Sequence, residues 1–276
     1  MKQVMQAEKL DQENRLKERM SLIRHKIIVM SGKGGVGKTS VAVNLSYAFA
    51  TSGKKVGLLD TDLHGPNVAK MLGVEKESLG GSTDGIDPVR VLSELKVVSL
   101  AFAAQNPDVP IIWRGPMKAN AIKQLLGEVN WGTLDYLVVD SPPGTGDEPL
   151  SVCQLIPNVS GAVIVTTPQD VSILDARKTV MFARQLNIPV IGIIENMSGF
   201  VCPHCRQETA IFKKGGGEKA AQDLGVPFLG RIPFDPELVE LADRGVPFIS
   251  SGKDTPSTRA FMQVQKAIEE FLAIRK

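Results

Sequence analysis

Cysteine is scarce in this sequence, with three residues in a chain of 276. Three thiols do not build a disulfide framework, and secreted proteins rarely leave thiols unpaired, so the count favours the reducing cytoplasm. No apolar run approaches the ~20 residues that span a bilayer. The charged N-terminal segment also lacks the apolar stretch of a signal peptide. We therefore expect a cytoplasmic protein with no membrane partner.

An excess of charge of one sign is also missing. The formal net charge is +2, and the basic residues do not run together anywhere in the chain. Because nucleic-acid binding needs a concentrated basic surface, we expect no nucleic-acid partner. Hydrophobic residues make up 43% of the sequence, which is typical of a globular protein rather than a disordered one.

Two regions differ in their pattern of apolar residues. Residues 1–24 are predicted to be a polar N-terminal arm or helix, solvated because Leu16, Met20 and the few other apolar residues are too sparse for a core face. In residues 25–276, apolar segments typical of buried strands alternate with helical patterns. This alternation predicts one α/β domain, with a mostly parallel sheet flanked by helices on both faces. The predicted strands lie in 25–32, 54–62, 95–100, 134–143, 161–168, 189–197 and 228–235, and the clearest predicted helices in 38–53, 119–129, 172–186 and 258–274.

A glycine-rich segment, GKGGVGKTS, follows the first predicted strand and opens the first predicted helix. It matches the P-loop pattern in the context that the pattern requires. The glycines allow backbone amides to surround phosphate oxygens at a helix N-terminus. Lys38 would reach the β- and γ-phosphates of ATP, and the Thr39 hydroxyl would ligate Mg²⁺. The predicted nucleotide-binding residues of this loop are Gly32, Lys33, Gly34, Gly35, Val36, Gly37, Lys38, Thr39 and Ser40.

Carboxylates follow two other predicted strands, where the ends of parallel strands face the ligand crevice. Asp140 is predicted to hold Mg²⁺, and Asp62 to orient the attacking water. Two interpretations of Asp60 remain open: its carboxylate contacts Mg²⁺ directly, or it caps a helix or forms a supporting hydrogen bond. The segment SPPGTGD after Asp140 is predicted to be a switch, in which Gly144 and Gly146 move when the γ-phosphate leaves.

The segment GKGGVGKT resembles the deviant Walker A motif of the ParA/MinD ATPases. The resemblance implies a P-loop NTPase fold and a homodimer, in which Lys33 reaches across the interface to the partner's nucleotide. A cation supplied in this way neutralises charge on the phosphates during transfer. The resemblance also supports the role of Asp62 and implies that the Asn196 amide contacts the adenine edge, for which an ordinary turn asparagine is the alternative.

Two of the cysteines form a C-x-x-C pair, Cys202 and Cys205. A redox pair, a zinc site and an iron–sulfur site are all compatible with this spacing, and the redox reading ranks last because the pair follows a late strand. Zinc and a [4Fe–4S] cluster each need four ligands. Cys153 lies in a helical stretch and is predicted to be a core residue, and His204 is expected to point away from the thiols. A two-fold dimer would supply four thiolates to one shared centre.

Longer segments resemble the Mrp/ApbC branch of the same family, the ATP-dependent iron–sulfur cluster carriers. The segments that carry the resemblance are WRGPMKANAIKQLL, WGTLDYLVVDSPPGTGDEPLS, ENMSGFVCPHC and KKGGGEKAAQDLGVPFLGRIPFDP. The resemblance implies a homodimer that binds a [4Fe–4S] cluster through Cys202 and Cys205 of each subunit. It also implies slow ATP hydrolysis, a cluster scaffold as donor and apo-proteins as recipients.

Two other functions remain open from the sequence. A ParA/MinD-type positioning ATPase would carry a structural zinc at the C-x-x-C pair, and a maturation factor would load another metal such as nickel. Positioning ATPases need a membrane-binding tail or a basic DNA-binding surface. The C-terminal helix instead places Phe261, Val264, Ile268 and Phe271 at the spacing of ordinary core packing.

Overall fold

The computed structural model describes residues 2–62, 65–103, 115–202, 204–205 and 207–275. Its strands are β1 (Ile23–Met30), β2 (Val56–Asp60), β3 (Gly80–Ser82), β4 (Gly85–Asp87), β5 (Val89–Leu92), β6 (Leu95–Ser99), β7 (Leu134–Asp140), β8 (Gly161–Thr166), β9 (Val190–Val201), β10 (Glu208–Thr209) and β11 (Phe228–Phe234). Its helices are α1 (Lys2–Ser21), α2 (Lys38–Thr51), α3 (Val68–Met71), α4 (Gly115–Glu128), α5 (Asp147–Leu155), α6 (Asp170–Gln185), α7 (Gly216–Leu224), α8 (Pro236–Asp243) and α9 (Pro256–Ile274), with 3-10 turns at Leu100–Ala103 and Phe248–Ser251.

One mostly parallel sheet organises the chain, in the order β9-β8-β1-β7-β2-β6-β5. Strand β11 pairs with β9 in parallel, β10 pairs with the end of β9 in antiparallel orientation, and β5 pairs with β6 in antiparallel orientation. The strands β1, β7 and β2 are neighbours, and their register places Asp60 beside Asp140. The fold therefore brings the P-loop and both carboxylates to one edge of the sheet.

Alternate residues of the central strands belong to two separate cores. Ile27 and Val29 pack with α2 and α9 on one face, whereas Ile28 and Met30 pack with α1, α4 and α5 on the other. The predicted α/β architecture, with helices on both faces, is confirmed. On α9, Phe261, Val264 and Ile268 are fully buried and Phe271 packs against the same core. Within the described residues no helix has the length and apolar character needed to cross a membrane.

The N-terminal segment differs from the prediction. It is a helix, but the expectation that it is a solvated arm is wrong for its last turns, where Leu16 and Met20 are buried against Ile122, Leu125 and other residues of the second core. The Lys26 ammonium group adds a polar contact, because it donates to the Met20 carbonyl in the last turn of this helix and to the Ile23 carbonyl at the start of β1. The prediction failed because the apolar surface that covers these positions comes from distant parts of the chain. The division of the chain at residue 24 stays a prediction.

We expect Met20→Ala to lower the free energy of unfolding by about 2–5 kcal/mol, since the substitution removes a buried side chain and leaves a cavity. Met20 is 1% exposed, whereas Leu10 on the same helix is 59% exposed. Leu10→Ala is the matched control, with an expected change within about 0.5 kcal/mol. Urea unfolding followed by circular dichroism measures both variants. Equal unfolding midpoints for the two variants would contradict the burial of this helix.

Candidate functional site

The P-loop connects β1 to α2, and glycines allow two close backbone approaches in it. A Cβ on Gly32 would lie 2.4 Å from the backbone oxygen of Asp175 in α6. A Cβ on Gly37 would lie 2.2 Å from the side-chain nitrogen of Asn196, and Gly37 has a φ of 82°. The loop is therefore held between α6 and the middle of β9, at contact distances that only glycine permits.

Lys38 and Thr39 of the P-loop contact Asp140 at the end of β7, and the three side chains form a largely buried cluster. The Lys38 ammonium group lies 2.5 Å from the Asp140 carboxylate, and the Thr39 hydroxyl donates to the other carboxylate oxygen over 2.7 Å. Burial raises the pKa of Asp140, and the neighbouring Lys38 opposes that rise. A hydroxyl beside a carboxylate offers the hard oxygen ligands that Mg²⁺ prefers. The cluster thus combines a cation for phosphate with oxygens for a divalent metal ion.

Asp60 is fully buried beside Asp140 and makes its hydrogen bonds within the protein. Its carboxylate accepts hydrogen bonds from the backbone amides of Asp62 and Val68 and from the Ser99 hydroxyl. Burial, followed by repulsion from Asp140, raises the pKa of Asp60 to about 8. The Asp60 carboxylate therefore holds the loop that carries Asp62 at both ends, through the amides of Asp62 and Val68. This geometry favours the supporting role for Asp60, and a direct Mg²⁺ contact stays an untested prediction.

A cavity of about 350 Å³ opens above the P-loop. Its described lining includes these predicted residues: Lys33, Gly34, Gly35, Val36, Gly37, Lys38, Thr39, Ser40 and Asp62. Gly32 is not among the described lining residues. Asp60 and Asp140 lie beneath this surface, and both are fully buried. Several other lining residues could not be predicted from the sequence, because they come from surface helices and a connecting loop: Asn67, Lys70, Met71, Ala242 and Asp243.

The predicted switch segment lies against the base of the P-loop. The Gly144 amide donates to the Ser31 carbonyl over 2.8 Å, and Gly144 has a φ of 93°. A Cβ placed on Gly144 or Gly146 would meet no atom within 4 Å, so open space surrounds both positions. The switch segment is thus joined to the base of the P-loop through the Gly144 hydrogen bond, and its glycines have room to rearrange.

Asn196 of β9 contacts the backbone of the P-loop. Its side-chain nitrogen donates to the Val36 carbonyl over 2.9 Å, and the residue is not among those described as lining the cavity. The predicted contact of Asn196 with adenine therefore stays a prediction. The structure does join Asn196 to the loop, a contact that sequence reasoning did not anticipate.

The neighbouring residue on β9, Glu195, is a buried carboxylate that sequence reasoning missed. It accepts hydrogen bonds from the Gly215 amide over 2.9 Å, the Gly217 amide over 2.5 Å and the Ser198 hydroxyl over 2.5 Å. The Arg231 guanidinium lies 3.5 Å away. A glutamate within an apolar strand, followed later by three consecutive glycines, was the signal that could have revealed it. Glu195 fixes the start of α7 against β9.

The C-x-x-C pair lies where the long strand β9 turns toward β10. The Cys202 amide donates to the Gln207 carbonyl over 3.0 Å, which closes the turn that carries the thiols. Cys205 is exposed and Cys202 is partly exposed. Hydrogen bonds from the backbone of Cys205 and then of His204 lower the pKa of the Cys202 thiol. The two thiols are thus placed together on an accessible turn, and thiolate character favours metal binding.

Other potential metal ligands do not join this pair in the described part of the chain. No group of three or more His, Cys, Asp or Glu side chains in those residues is arranged to hold a metal ion. The third cysteine, Cys153, is buried in the core, and burial raises its pKa to about 11. The prediction that Cys153 is a core residue is confirmed.

Comparisons with known families and sequences match most of the chain. The family described as "ParA: NUBPL iron-transfer P-loop NTPase" matches residues 22–269. A protein of Methanocaldococcus jannaschii named iron-sulfur cluster carrier protein is 51% identical over 259 residues, which is 94% of this chain and 89% of the relative. A protein of Methanococcus maripaludis with the same name is 49% identical over 262 residues, with 95% and 90% covered.

Solved structures agree with this fold. A nucleotide-binding protein from Archaeoglobus fulgidus, solved in complex with ADP and containing cobalt, superposes with a TM-score of 0.77 at 38% identity. The match covers 90% of this chain and 95% of that one. The Pyrococcus furiosus cell division ATPase MinD superposes with a TM-score of 0.63 at 22% identity, covering 89% and 98% of the two chains, and supports the fold alone.

Proposed function

This chain belongs to the ParA family of NUBPL iron-transfer P-loop NTPases, and we propose that it is an ATP-dependent carrier of iron–sulfur clusters. In the proposal, Cys202 and Cys205 from each of two identical subunits hold one [4Fe–4S] cluster as cargo. The cluster comes from a scaffold protein and passes to apo-proteins. The resemblance to named iron-sulfur cluster carrier proteins over more than nine-tenths of the chain supports this function.

One structural observation carries the proposal: a single strand, β9, joins the thiol pair to the nucleotide loop. Asn196 on this strand donates to Val36 of the P-loop, and the strand continues to the turn that holds Cys202. A rigid strand that contacts the P-loop at its middle and leads into the cysteine turn at its end can transmit a small shift of the P-loop to the thiols. We infer that the nucleotide changes how firmly the cluster is held.

The dimer follows from the ligand requirement of the cargo. A [4Fe–4S] cluster is held by four thiolates, and one chain offers two accessible cysteines, the partly exposed Cys202 and the exposed Cys205. An isologous interface presents the same turn twice, which supplies four thiolates around a two-fold axis. Lys33, which lines the nucleotide cavity, would cross the same interface to the partner's phosphates.

In the proposal, ATP is bound and hydrolysed by the side chains of the P-loop and by the carboxylates next to it. Lys38 would bind the β- and γ-phosphates, and Thr39 and Asp140 would hold Mg²⁺, which supplies charge neutralisation at the phosphates. Asp62 would orient the attacking water from the far side of the cavity. Asp60 keeps the loop of Asp62 in position through two hydrogen bonds, from the backbone amides of Asp62 and Val68.

We expect Lys33→Ala to reduce ATP hydrolysis by about 100-fold or more while ATP affinity changes only a few-fold. A cation delivered across an interface acts mainly on the transition state, and comparable arginine fingers contribute about 10³–10⁵ in rate. Phosphate release and ATP titration measure the two effects, with Lys76→Ala, an exposed lysine, as the matched control. Unchanged hydrolysis in Lys33→Ala would refute the trans role.

Cluster transfer tests the proposed function directly. The protein is reconstituted anaerobically with iron and sulfide, freed of unbound reagents, and mixed with an apo-enzyme whose activity needs a [4Fe–4S] cluster. The proposal expects the enzyme to recover activity faster from the carrier than from equal amounts of free iron and sulfide. Recovery no faster than from the free reagents would reject it.

A positioning ATPase with structural zinc is the main alternative. Its membrane-binding version is disfavoured because the apolar face of α9 that carries Phe261, Val264 and Ile268 is buried in the core. A maturation factor for another metal would use the same thiols. Metal analysis of the purified protein separates these candidates, since zinc or nickel would appear without acid-labile sulfide.

A further inference from the structure

An unusual concentration of exposed apolar side chains lies on α6. Val171, Leu174 and Met181 are 68%, 57% and 47% exposed. Their helical spacing places them on one side of α6, together with the exposed Lys178. We call these four residues the α6 stripe. Single exposed apolar residues are ordinary, but several on one helix face mark an interaction surface.

A groove of about 540 Å³ runs beside the stripe, between α6, the end of α7 and the switch loop. Leu174, Met181 and Leu224 contribute apolar surface to it. Among the described residues that line it, the ionisable ones are Arg177 and Lys178. Each is paired with a carboxylate outside the lining, at 3.2 Å in both cases, in exposed ion pairs that contribute little in water. Carboxylates of a bound segment can therefore replace these partners.

Two exposed ion pairs link the N-terminal end of α6 to β10, the strand that follows the turn carrying the thiols. Asp170, which precedes Val171, forms an ion pair with Lys213. The following residue, Lys214, forms an ion pair with Glu208 of β10. These contacts make the N-terminal end of α6 and the cysteine turn neighbours on one surface. A protein seated along the stripe would reach the cluster with its own ligands.

The same groove touches both nucleotide-facing elements. Thr145, which lines it, lies between Gly144 and Gly146 of the switch loop. The backbone of Asp175 packs against Gly32, so α6 itself contacts the P-loop. A change in either loop would alter the shape of the groove, and binding there would depend on the nucleotide.

We propose that the α6 stripe and its groove dock the recipient apo-protein, through an acidic segment that carries an apolar side chain. The apolar side chain enters the groove between Leu174 and Met181, and the flanking carboxylates pair with Arg177 and Lys178. This inference rests on the proposed carrier function and adds the chemistry of the recipient's contact surface. A recipient with a basic contact surface would have to dock elsewhere on the carrier.

The test uses the intact cluster-loaded protein and, as probe, the apo-form of an acidic ferredoxin that takes [4Fe–4S] clusters. Transfer rates are measured against ferredoxin concentration for wild type, Met181→Glu and Lys178→Glu. We expect the half-saturating concentration to rise about tenfold in each variant, with the maximal rate unchanged, because docking is weakened and the cluster site is untouched. Met262→Glu on α9, at a methionine of similar exposure, is the control and should match wild type.

Three outcomes decide the inference. Equal half-saturating concentrations in all four proteins would overturn it. A lower mass for Met181→Glu in light scattering would also overturn it, since the stripe would then bind a second copy of this chain. If wild-type protein transfers no cluster, the proposed function fails by itself. Calorimetric titration with the same apo-ferredoxin then tests the docking surface. Ferredoxin binding that is weakened by Met181→Glu and by Lys178→Glu supports the proposal. No binding to wild type, or equal binding to wild type and both variants, rejects it.

Discussion

The double variant Cys202→Ala/Cys205→Ala should carry no [4Fe–4S] cluster and deliver none, while it binds ATP with an affinity within about twofold of wild type. The thiols lie on an exposed turn beyond the end of β9, and they are not among the described residues that line the nucleotide cavity. Removal of exposed thiols leaves the core intact, so stability should change by less than about 0.5 kcal/mol. Cluster content is measured by absorbance and iron analysis, and ATP affinity by calorimetry.

Cys153→Ala provides the matched cysteine control. Cys153 is buried and has a raised pKa, so it is a poor metal ligand, and its loss should reduce stability without reducing cluster content. Delivery of a cluster by the double variant at the wild-type rate would refute the assignment of the thiols. Loss of the cluster from Cys153→Ala, in a folded protein, would point to a third ligand.

Lys38→Ala should weaken ATP binding by about 100-fold or more, equivalent to roughly 2.7 kcal/mol. The ammonium group lies within the P-loop and would make charge-assisted hydrogen bonds to phosphate oxygens. Its removal also leaves Asp140 buried without its cation, which destabilises a protein by about 3–5 kcal/mol when the charge persists. Calorimetric ATP titration and thermal unfolding separate the two effects.

Lys38→Ala/Asp140→Asn separates nucleotide binding from folding. The second substitution removes the buried carboxylate charge, so thermal stability should recover relative to Lys38→Ala, and ATP affinity should stay low. ATP binding at wild-type strength in either variant would contradict the P-loop assignment. Recovery of binding together with stability would mean that Lys38 acts through the fold alone.

The long strands and the nucleotide loop could be predicted from the sequence because each depends on local pattern. The strand of Ile27 and Ile28 is apolar on both sides, as a buried parallel strand must be, and the glycine-rich segment follows it directly. Carboxylates after such strands face the ligand crevice at one sheet edge, and Asp60 and Asp140 lie there as neighbours in the register of β2 and β7.

The remaining features depend on contacts between distant residues. The burial of Met20 depends on a surface formed more than one hundred residues later, and the contact of Asn196 with Val36 spans 160 positions. The short strands β3, β4, β5 and β10 have two to four residues each, too few to show a periodic pattern. Glu195 was missed because the amides of Gly215 and Gly217 that bind it lie 20 and 22 positions away in the sequence.

Iron and acid-labile sulfide, measured per dimer after anaerobic reconstitution, test the central claim most directly. The dimer is defined by light scattering of the same sample, and the double cysteine variant is analysed beside it. The account predicts about four irons and four sulfides for every two chains of wild type and none in the variant. About one zinc per dimer without sulfide, lost equally in the variant, would contradict it and make the cysteine turn a structural metal site.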